Sequence, residues 1–288
     1  MKESSRHNNE KNTDPTKFSP ISENLGLKLS DKTHPEKYKP NKETPAIPVE
    51  IPIWTDANGD EYFQKMPELK PDKQDLPAEH FISMLVKGVL NSSDLIKHGD
   101  IYLSKKMDLT KIEKGTHEEI TAEIFLLHYL FEEMDKTSIK QNVQIDPETG
   151  SFAHYDYSEA FRSKNDDPTF WYKTNQKAEE LISDINIELN NIDEYKRAPK
   201  GRQMLPERKS PSREVELAVL KRSFLLKDQI QNWEFFKSVV KKSSIDLSSP
   251  RFHFLSSDSE EERAKELQRK ILERLEVLIK VLEDRNNI

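Results

Sequence analysis

The sequence contains no cysteine, which excludes a disulfide framework and any zinc site built on thiolates. This absence is typical of a protein from a reducing compartment. No apolar run approaches the roughly 18 residues that a membrane-spanning helix needs, and residues 1–12 are polar and charged. The sequence therefore predicts neither a transmembrane helix nor a conventional signal peptide.

Glycine and apolar residues are also scarce. The seven glycines stand alone at positions 26, 59, 88, 99, 115, 150 and 201, so the phosphate-binding pattern G-x-G-x-x-G is absent. Hydrophobic residues make up 34% of the chain and charged residues another 34%, which indicates long exposed segments. The net charge of −7 argues against nucleic-acid binding, because that binding is driven by an excess of Lys and Arg.

The N-terminal part of the chain changes from polar to strand-like near position 46. Residues 1 to about 45 predict a disordered tail, although Leu25–Leu29 offers a short apolar segment that would pack on the folded part or replace part of a phosphate loop. Ala46–Trp54 alternates apolar residues with prolines, which is typical of an edge strand. Asp56–Gly59 then predicts a hairpin turn, and Lys65 ends the returning strand.

A helix is predicted from Pro77, with apolar residues at helical spacing on one face. Glu79 is the acidic residue of this helix and stands in its first turn. Two interpretations of Glu79 are open: it pairs with Lys65, or it is favoured there by the helix dipole alone. Lys65 has the same two possibilities, since it either contacts phosphates or lies on the solvent side of its strand.

The strongest predicted helix runs from Thr116 to Met134, with Thr116 and Glu119 forming a capping box. Its apolar stripe indicates a core helix, and we interpret His128 on its flank as a structural histidine. Asp135 follows directly where the helix stops.

A short hairpin is predicted next. Asn142–Ile145 and Ser151–His154 are strand-like, and the Pro and Gly of Asp146–Gly150 suit a tight turn. The hairpin would hold Asn142 at its entry and Asp156 at its exit. Carboxylate and amide oxygens are ligands of Mg²⁺ in phosphoryl-transfer sites.

The order Asp135, Asn142 and Asp156-Tyr-Ser158 resembles the H-R-D-L-x-x-x-N and D-F-G segments of the protein kinase-like superfamily. The strand ending in YFQK at Lys65 stands where that family has V-A-I-K. The resemblance spans about residues 53–161 and is closest to divergent kinase-like effectors that intracellular bacterial pathogens secrete. The sequence departs from the pattern in four ways: Asp135 and Asn142 are seven positions apart, no His-Arg precedes Asp135, Ser158 replaces the glycine, and the Gly-rich loop is absent.

The resemblance implies an α+β fold of the atypical two-lobed kinase-like type, with a small β-rich N-lobe and a mainly helical C-lobe. After the disordered tail of residues 1–45, residues 46–107 would form the N-lobe. Residues 108–204 would form the C-lobe with the catalytic loop and metal site. Residues 205–288 would form a helical C-terminal extension that binds phosphoinositide or a partner.

The resemblance also implies roles for single residues. Lys65 would bind the phosphates of ATP with Glu79 as its partner, and Asp135 would orient the acceptor hydroxyl. Asn142 and Asp156 would bind Mg²⁺ or Mn²⁺. The implied function is an ATP- and Mg-dependent phosphotransferase. The preferred interpretation is an atypical protein kinase that acts on a host protein. A lipid or another small molecule is an alternative acceptor. The alternative is a catalytically dead kinase-like module that engages phosphoinositide membranes or a host protein.

The C-terminal region mixes cations with apolar residues, a pattern that suits an anionic membrane surface. Ordinary amphipathic packing is the alternative. The cations of residues 196–213 and 221–242 would also suit an inositol polyphosphate activator, which would order a site that lacks the Gly-rich loop. For a protein resembling secreted effectors, we expect export without a classical signal peptide into the host cytoplasm, with peripheral membrane association. The clusters of cations and apolar residues that suggest a membrane surface are Lys221-Arg222 with Phe224–Leu226, Lys237 and Lys241-Lys242 with Val239-Val240, and Arg251 with Phe252 and Phe254.

Overall fold

The computed structural model is a mixed α+β structure in which an antiparallel sheet of five strands packs with helices. It describes residues 26–38, 47–66, 75–108, 116–131, 143–145, 152–154, 157, 161 and 213–288. This confirms the predicted fold class at the level of α+β. Among the described helices, none is both long and apolar enough to cross a membrane.

The strands of the sheet follow one another in the order β1-β2-β3-β5-β4, and each neighbouring pair is antiparallel. The predicted hairpin is confirmed, because β2 and β3 pair on either side of the turn at Asp56–Gly59. The sheet contains a strand, β4, that the sequence analysis did not predict. The strands are β1 (Lys28–Tyr38), β2 (Ile47–Thr55), β3 (Glu61–Gln64), β4 (Leu95–His98) and β5 (Ile101–Lys105).

The β1 strand corrects the prediction that residues 1 to about 45 are disordered. Residues 28–38 pair with β2 from Lys28 opposite Thr55 to Tyr38 opposite Ile47. The prediction was wrong for this segment because its side chains from Asp31 to Pro35 are exposed, so no alternating apolar pattern marks the strand. Its order comes from the backbone ladder with β2, which side-chain patterning does not reveal.

The prediction of an edge strand at Ala46–Trp54 was wrong for the strand as a whole, because β2 lies between β1 and β3 in the sheet. The β2 strand pairs with β1 along its length, but with β3 only through Ile53–Thr55. Residues 47–52, which include both prolines, therefore have a neighbour on one side only among the described strands. This suits proline, which has no N–H to donate to a second neighbour.

The β2–β3 turn is held by the side chain of Asp56. Its carboxylate accepts the N–H of Asn58 at 2.8 Å, the N–H of Asp60 at 3.0 Å and the hydroxyl of Tyr62 at 3.2 Å. Burial by itself would raise the pKa of Asp56, but these hydrogen bonds favour the ionised form and lower the pKa overall. Gly59 completes the turn at φ 84°, a conformation that favours glycine.

The first two helices of the chain both begin with a side-chain cap. Helix α1 (Leu76–Val86) lies between β3 and β4, and the side chain of Asp75 caps it by accepting the N–H of Ala78 at 3.0 Å. Helix α2 (His117–Phe131) begins with the predicted capping box, since Thr116 and Glu119 exchange backbone-to-side-chain hydrogen bonds of 2.9 and 3.2 Å. Residues 120–131 of α2 are all buried, so α2 is a core helix with more than one buried face.

The second predicted hairpin is also confirmed, with β6 (Val143–Ile145) antiparallel to β7 (Phe152–His154). It is joined to the segment that follows α1. The N–H of His154 donates to the carbonyl of Asn91 at 2.6 Å, and the N–H of Ser93 donates to the carbonyl of His154 at 2.7 Å. The backbone therefore links the hairpin directly to the α1–β4 connection.

Three long C-terminal helices complete the described fold. They are α3 (Arg213–Gln231), α4 (Trp233–Ser243) and α5 (Glu260–Asn286). Ser259 caps α5 by accepting the N–H of Glu262 at 3.2 Å. Arg274 of α5 joins it to α2, donating to the carbonyl of Tyr129 at 2.8 Å with its guanidinium over the Tyr129 ring.

These helices share one hydrophobic core with α1, α2 and β7. Phe81 of α1 and Phe236 of α4 are both fully buried, with ring centroids 5.7 Å apart. The C-terminal region also holds both ends of α1: Arg251 Nε lies 3.1 Å from Asp75 Oδ2, and Gln229 donates to the carbonyl of Leu85 at 2.6 Å. The domain boundary predicted at 205 lies outside the described residues.

Candidate functional site

The candidate site is centred on an ion pair between the sheet and α1. Lys65 Nζ lies 2.8 Å from Glu79 Oε1. The Glu79 side chain is 2% exposed and the Lys65 side chain 16% exposed. The carboxylate is thus enclosed by protein, while part of the lysine side chain stays accessible to solvent.

Local structure determines where each partner stands. Lys65 directly follows β3, and its N–H donates to the carbonyl of Tyr102 at 2.8 Å, which continues the β3–β5 ladder by one residue. Glu79 stands in the first turn of α1, where its N–H donates to the carbonyl of the capping Asp75 at 2.9 Å. The packing of α1 against the sheet then brings the two side chains together.

The first turn favours a carboxylate through the helix dipole, but the dipole does not require a cation beside it. Burying Glu79 without a partner would be costly, and the ammonium group of Lys65 offsets that cost. The arrangement also restricts Lys65, because one direction of its ammonium group is committed to Glu79. A lysine ammonium group that a carboxylate holds in place is a positioned positive charge, which is the form in which lysine binds phosphate.

Three of the predicted site residues, Asp135, Asn142 and Asp156, lie outside the described residues, so their predicted roles stay predictions. Among the described residues, no group of three or more His, Asp or Glu side chains could hold a metal ion. The described chain ends or resumes close to each of the three: α2 ends at Phe131, β6 begins at Val143 and β7 ends at His154.

The structure shows a second charged cluster, which the sequence analysis missed. Glu123 of α2 is 1% exposed, and its Oε1 accepts a hydrogen bond of 2.8 Å from Arg222 Nε of α3. Its Oε2 lies 3.2 Å from His154 Nε2 of β7. The signal in the sequence was a glutamate inside an otherwise apolar helical segment, since a carboxylate in that place needs partners when it is buried.

We predict that the stability of the protein depends on pH through His80, which is next to Glu79 in α1. Burial, assisted by the charge of Lys97, lowers the pKa of His80 from 6.5 to about 4. In the unfolded chain, His80 therefore binds a proton below about pH 6.5, whereas in the folded protein it binds one only as the pH approaches about 4. The contribution to stability is complete above pH 6.5 and is lost as the pH falls towards 4, by up to about 3 kcal/mol.

The measurement is the free energy of unfolding in urea at pH 7, 5 and 4 for the wild type and His80→Phe. We expect the variant to lose less stability on acidification. His98→Gln, which changes an exposed histidine, should follow the wild type. Equal acid sensitivity of all three proteins would contradict the prediction.

In the C-terminal clusters that suggested membrane binding, most of the apolar side chains are buried in the core and a few are exposed. Val239 and Val240 are buried in the core, as are Phe252 and Phe254, so these residues supply no exposed apolar surface. For them the alternative of ordinary packing applies. Phe224 and Leu225 of α3 are exposed next to the exposed Lys221. Of the cations predicted to bind an inositol polyphosphate, residues 196–212 lie outside the described part of the chain.

Comparison with known proteins adds no assignment. The chain matches no protein-family model, no curated protein and no solved structure.

Proposed function

We propose that the protein is an ATP- and Mg-dependent phosphotransferase with an atypical two-lobed kinase-like fold. In this proposal the sheet with α1 forms the N-lobe. Lys65 binds the ATP phosphates, Glu79 orients Lys65, Asp135 orients the acceptor hydroxyl, and Asn142 and Asp156 bind Mg²⁺. The preferred acceptor of the phosphoryl group is a host protein, in keeping with the resemblance to secreted effector kinases.

The observation that carries the proposal is the ion pair of Lys65 and Glu79. Kinases of this superfamily hold a lysine on the third strand with a glutamate from the following helix, so that the lysine points at the α- and β-phosphates. Here Lys65 directly follows β3 and Glu79 belongs to the next helix, and the two groups are 2.8 Å apart. A lysine on the solvent side of its strand would not need a buried carboxylate.

The order of elements gives further support. Three strands precede α1 and two follow it, and all five join one antiparallel sheet. A buried helix then leads to the β6–β7 hairpin, at whose two ends the sequence has Asn142 and Asp156. This is the sequence in which a kinase-like chain presents its phosphate-binding lysine and its metal ligands.

The second candidate is a kinase-like module that no longer transfers phosphate. The observation in its favour is the absence of the Gly-rich pattern, which normally lends backbone N–H donors to the phosphates. The retained Lys65 and Glu79 pair favours nucleotide binding, so the two candidates differ in turnover more than in affinity. Phosphotransfer measured beside nucleotide binding separates them.

Replacing Lys65 with alanine tests the nucleotide site. We expect Lys65→Ala to weaken binding of Mg-ATP by about tenfold or more, because a charge-assisted contact to the phosphates is lost. Any phosphotransfer should slow as well. The measurement is titration calorimetry with Mg-ATP, followed by transfer of labelled phosphate to the protein itself and to a host-cell extract.

Lys106→Ala is the matched control, because Lys106 follows β5 and pairs with the partly exposed Glu61 at 2.7 Å. It should bind Mg-ATP as the wild type does. An unchanged affinity in folded Lys65→Ala would return Lys65 to a structural role and remove the main support for the proposal. Binding without transfer in the wild type would favour the inactive module.

A further inference from the structure

The buried carboxylate of Glu123 joins three separate parts of the fold to α2. Its Oε1 accepts from Arg222 Nε at 2.8 Å, and its Oε2 accepts the N–H of Asn91 at 2.8 Å. The same Oε2 lies 3.2 Å from Nε2 of His154, whose side chain is fully buried. One side chain therefore connects α2 with α3, with the α1–β4 connection and with the end of β7.

His154 is held by its backbone as well as by its ring. Its N–H donates to the carbonyl of Asn91, and its carbonyl accepts the N–H of Ser93. Asn91 thus binds both the His154 backbone and the Glu123 carboxylate. Because the same residues share these contacts, loss of the carboxylate should loosen the backbone bonds too.

The chain is anchored again three residues further on. Tyr157 is 1% exposed, and its hydroxyl donates to Ser92 Oγ at 2.8 Å. His154 and Tyr157 stand on either side of position 156 in the sequence, and both bind the segment 91–93 that follows α1.

We infer that Glu123 is a positioning residue. It fixes the exit of the β6–β7 hairpin relative to α1, and it thereby sets the position of the proposed Mg²⁺ ligand Asp156, which follows this exit in the sequence. The inference rests on the proposed function for the assignment of Asp156 to Mg²⁺. The anchoring of the hairpin by Glu123 stands independently of that assignment. Through segment 91–93, Glu123 would also keep the hairpin in register with the helix that carries Glu79.

Two acceptor oxygens are what this place requires. Arg222 Nε and the N–H of Asn91 are both donors, and they approach different oxygens of Glu123. A glutamine has the same shape but only one acceptor oxygen, so its amide NH₂ would face one of these donors. Glu123→Gln therefore removes one buried hydrogen bond and the charge without changing side-chain volume.

The experiment compares the full chain with Glu123→Gln by two measurements. The first is the rate of amide hydrogen exchange at Ser93 and His154. We expect this rate to rise about tenfold, because one buried donor loses its acceptor and local opening becomes less costly. The second is the Mg²⁺ concentration that gives half-maximal binding of a fluorescent ATP analogue, which should rise by about tenfold. A loss of global stability alone would not change the Mg²⁺ requirement of the folded fraction.

Glu119→Gln is the matched control. Glu119 lies one helical turn before Glu123 and 3.4 Å from the same Arg222, but it is 31% exposed. This variant should change both measurements by less than about twofold. Tyr157→Phe removes the hydroxyl that donates to Ser92 and supplies a second test if Glu123→Gln does not fold. We expect changes of about threefold in the same direction.

Unchanged exchange at Ser93 and His154 in both folded variants would overturn the inference. Faster exchange with an unchanged Mg²⁺ requirement, in a protein that binds Mg-ATP, would overturn the positioning role. Faster exchange in a protein whose wild type binds no Mg-ATP would refute the proposed function, and with it the metal-positioning role, while supporting the anchoring of the hairpin by Glu123.

Discussion

Asp156→Ala should abolish phosphotransfer while leaving the protein folded. In the proposed site Asp156 binds the Mg²⁺ that neutralises charge on the transferring phosphoryl group. Losing such a ligand should cost more than about 3 kcal/mol of transition-state stabilisation, which is more than about a hundredfold in rate. We expect this effect on turnover to exceed that of any other single substitution at the site.

The measurement is the rate of transfer from labelled ATP at saturating Mg²⁺, with thermal unfolding as the test of folding. Asp156→Asn keeps the size of the side chain and should be almost as inactive, because it loses the negative charge with which a carboxylate strengthens Mg²⁺ binding. Asp228→Ala removes an exposed carboxylate of α3 and should retain wild-type activity. A folded Asp156→Ala protein that still transfers phosphate would refute the proposed metal site.

Phe236→Ala should destabilise the whole protein by about 3 to 5 kcal/mol. Phe236 of α4 is fully buried, and its ring packs against Phe81 of α1 and against Trp233. The substitution leaves a cavity between α1 and the C-terminal helices. Because α1 carries Glu79, we also expect weaker binding of Mg-ATP in the folded fraction.

Urea unfolding provides the measurement, with Phe224→Ala as the control. Phe224 is 41% exposed on α3, and its truncation should change the free energy of unfolding by no more than about 0.5 kcal/mol. Similar small effects for both variants would show that α4 and α1 do not share one core in solution. A large effect of Phe236→Ala would show that the C-terminal helices belong to the folded body that holds α1.

Local sequence patterns predicted most of the short-range structure. The turn at Asp56–Gly59 and the capping box of Thr116 and Glu119 are both present. Each depends on residues within four positions of one another, so the chain itself determines them. The failure at β1 has the opposite cause, since an exposed strand owes its order to a partner that follows at a distance.

The candidate site was predicted in part. Lys65 and Glu79 were both named from the sequence, through the resemblance and their places at a strand end and in a helix, but two interpretations of each stayed open. Their contact depends on how α1 packs against the sheet, which in turn depends on Phe81, Phe236 and the residues that hold the ends of α1. No pattern within residues 65–79 contains that information.

The sequence by itself determined two hairpins and the starts of α1 and α2, because propensity, capping and turn chemistry act over a few residues. Only the tertiary structure decided which charged groups meet. Glu123 and Arg222 are 99 residues apart in the chain, and Gln229 is 144 residues from the carbonyl that it caps. Such contacts follow from the burial of several helices in one core, where a polar group must find a partner among whatever elements the packing brings to it.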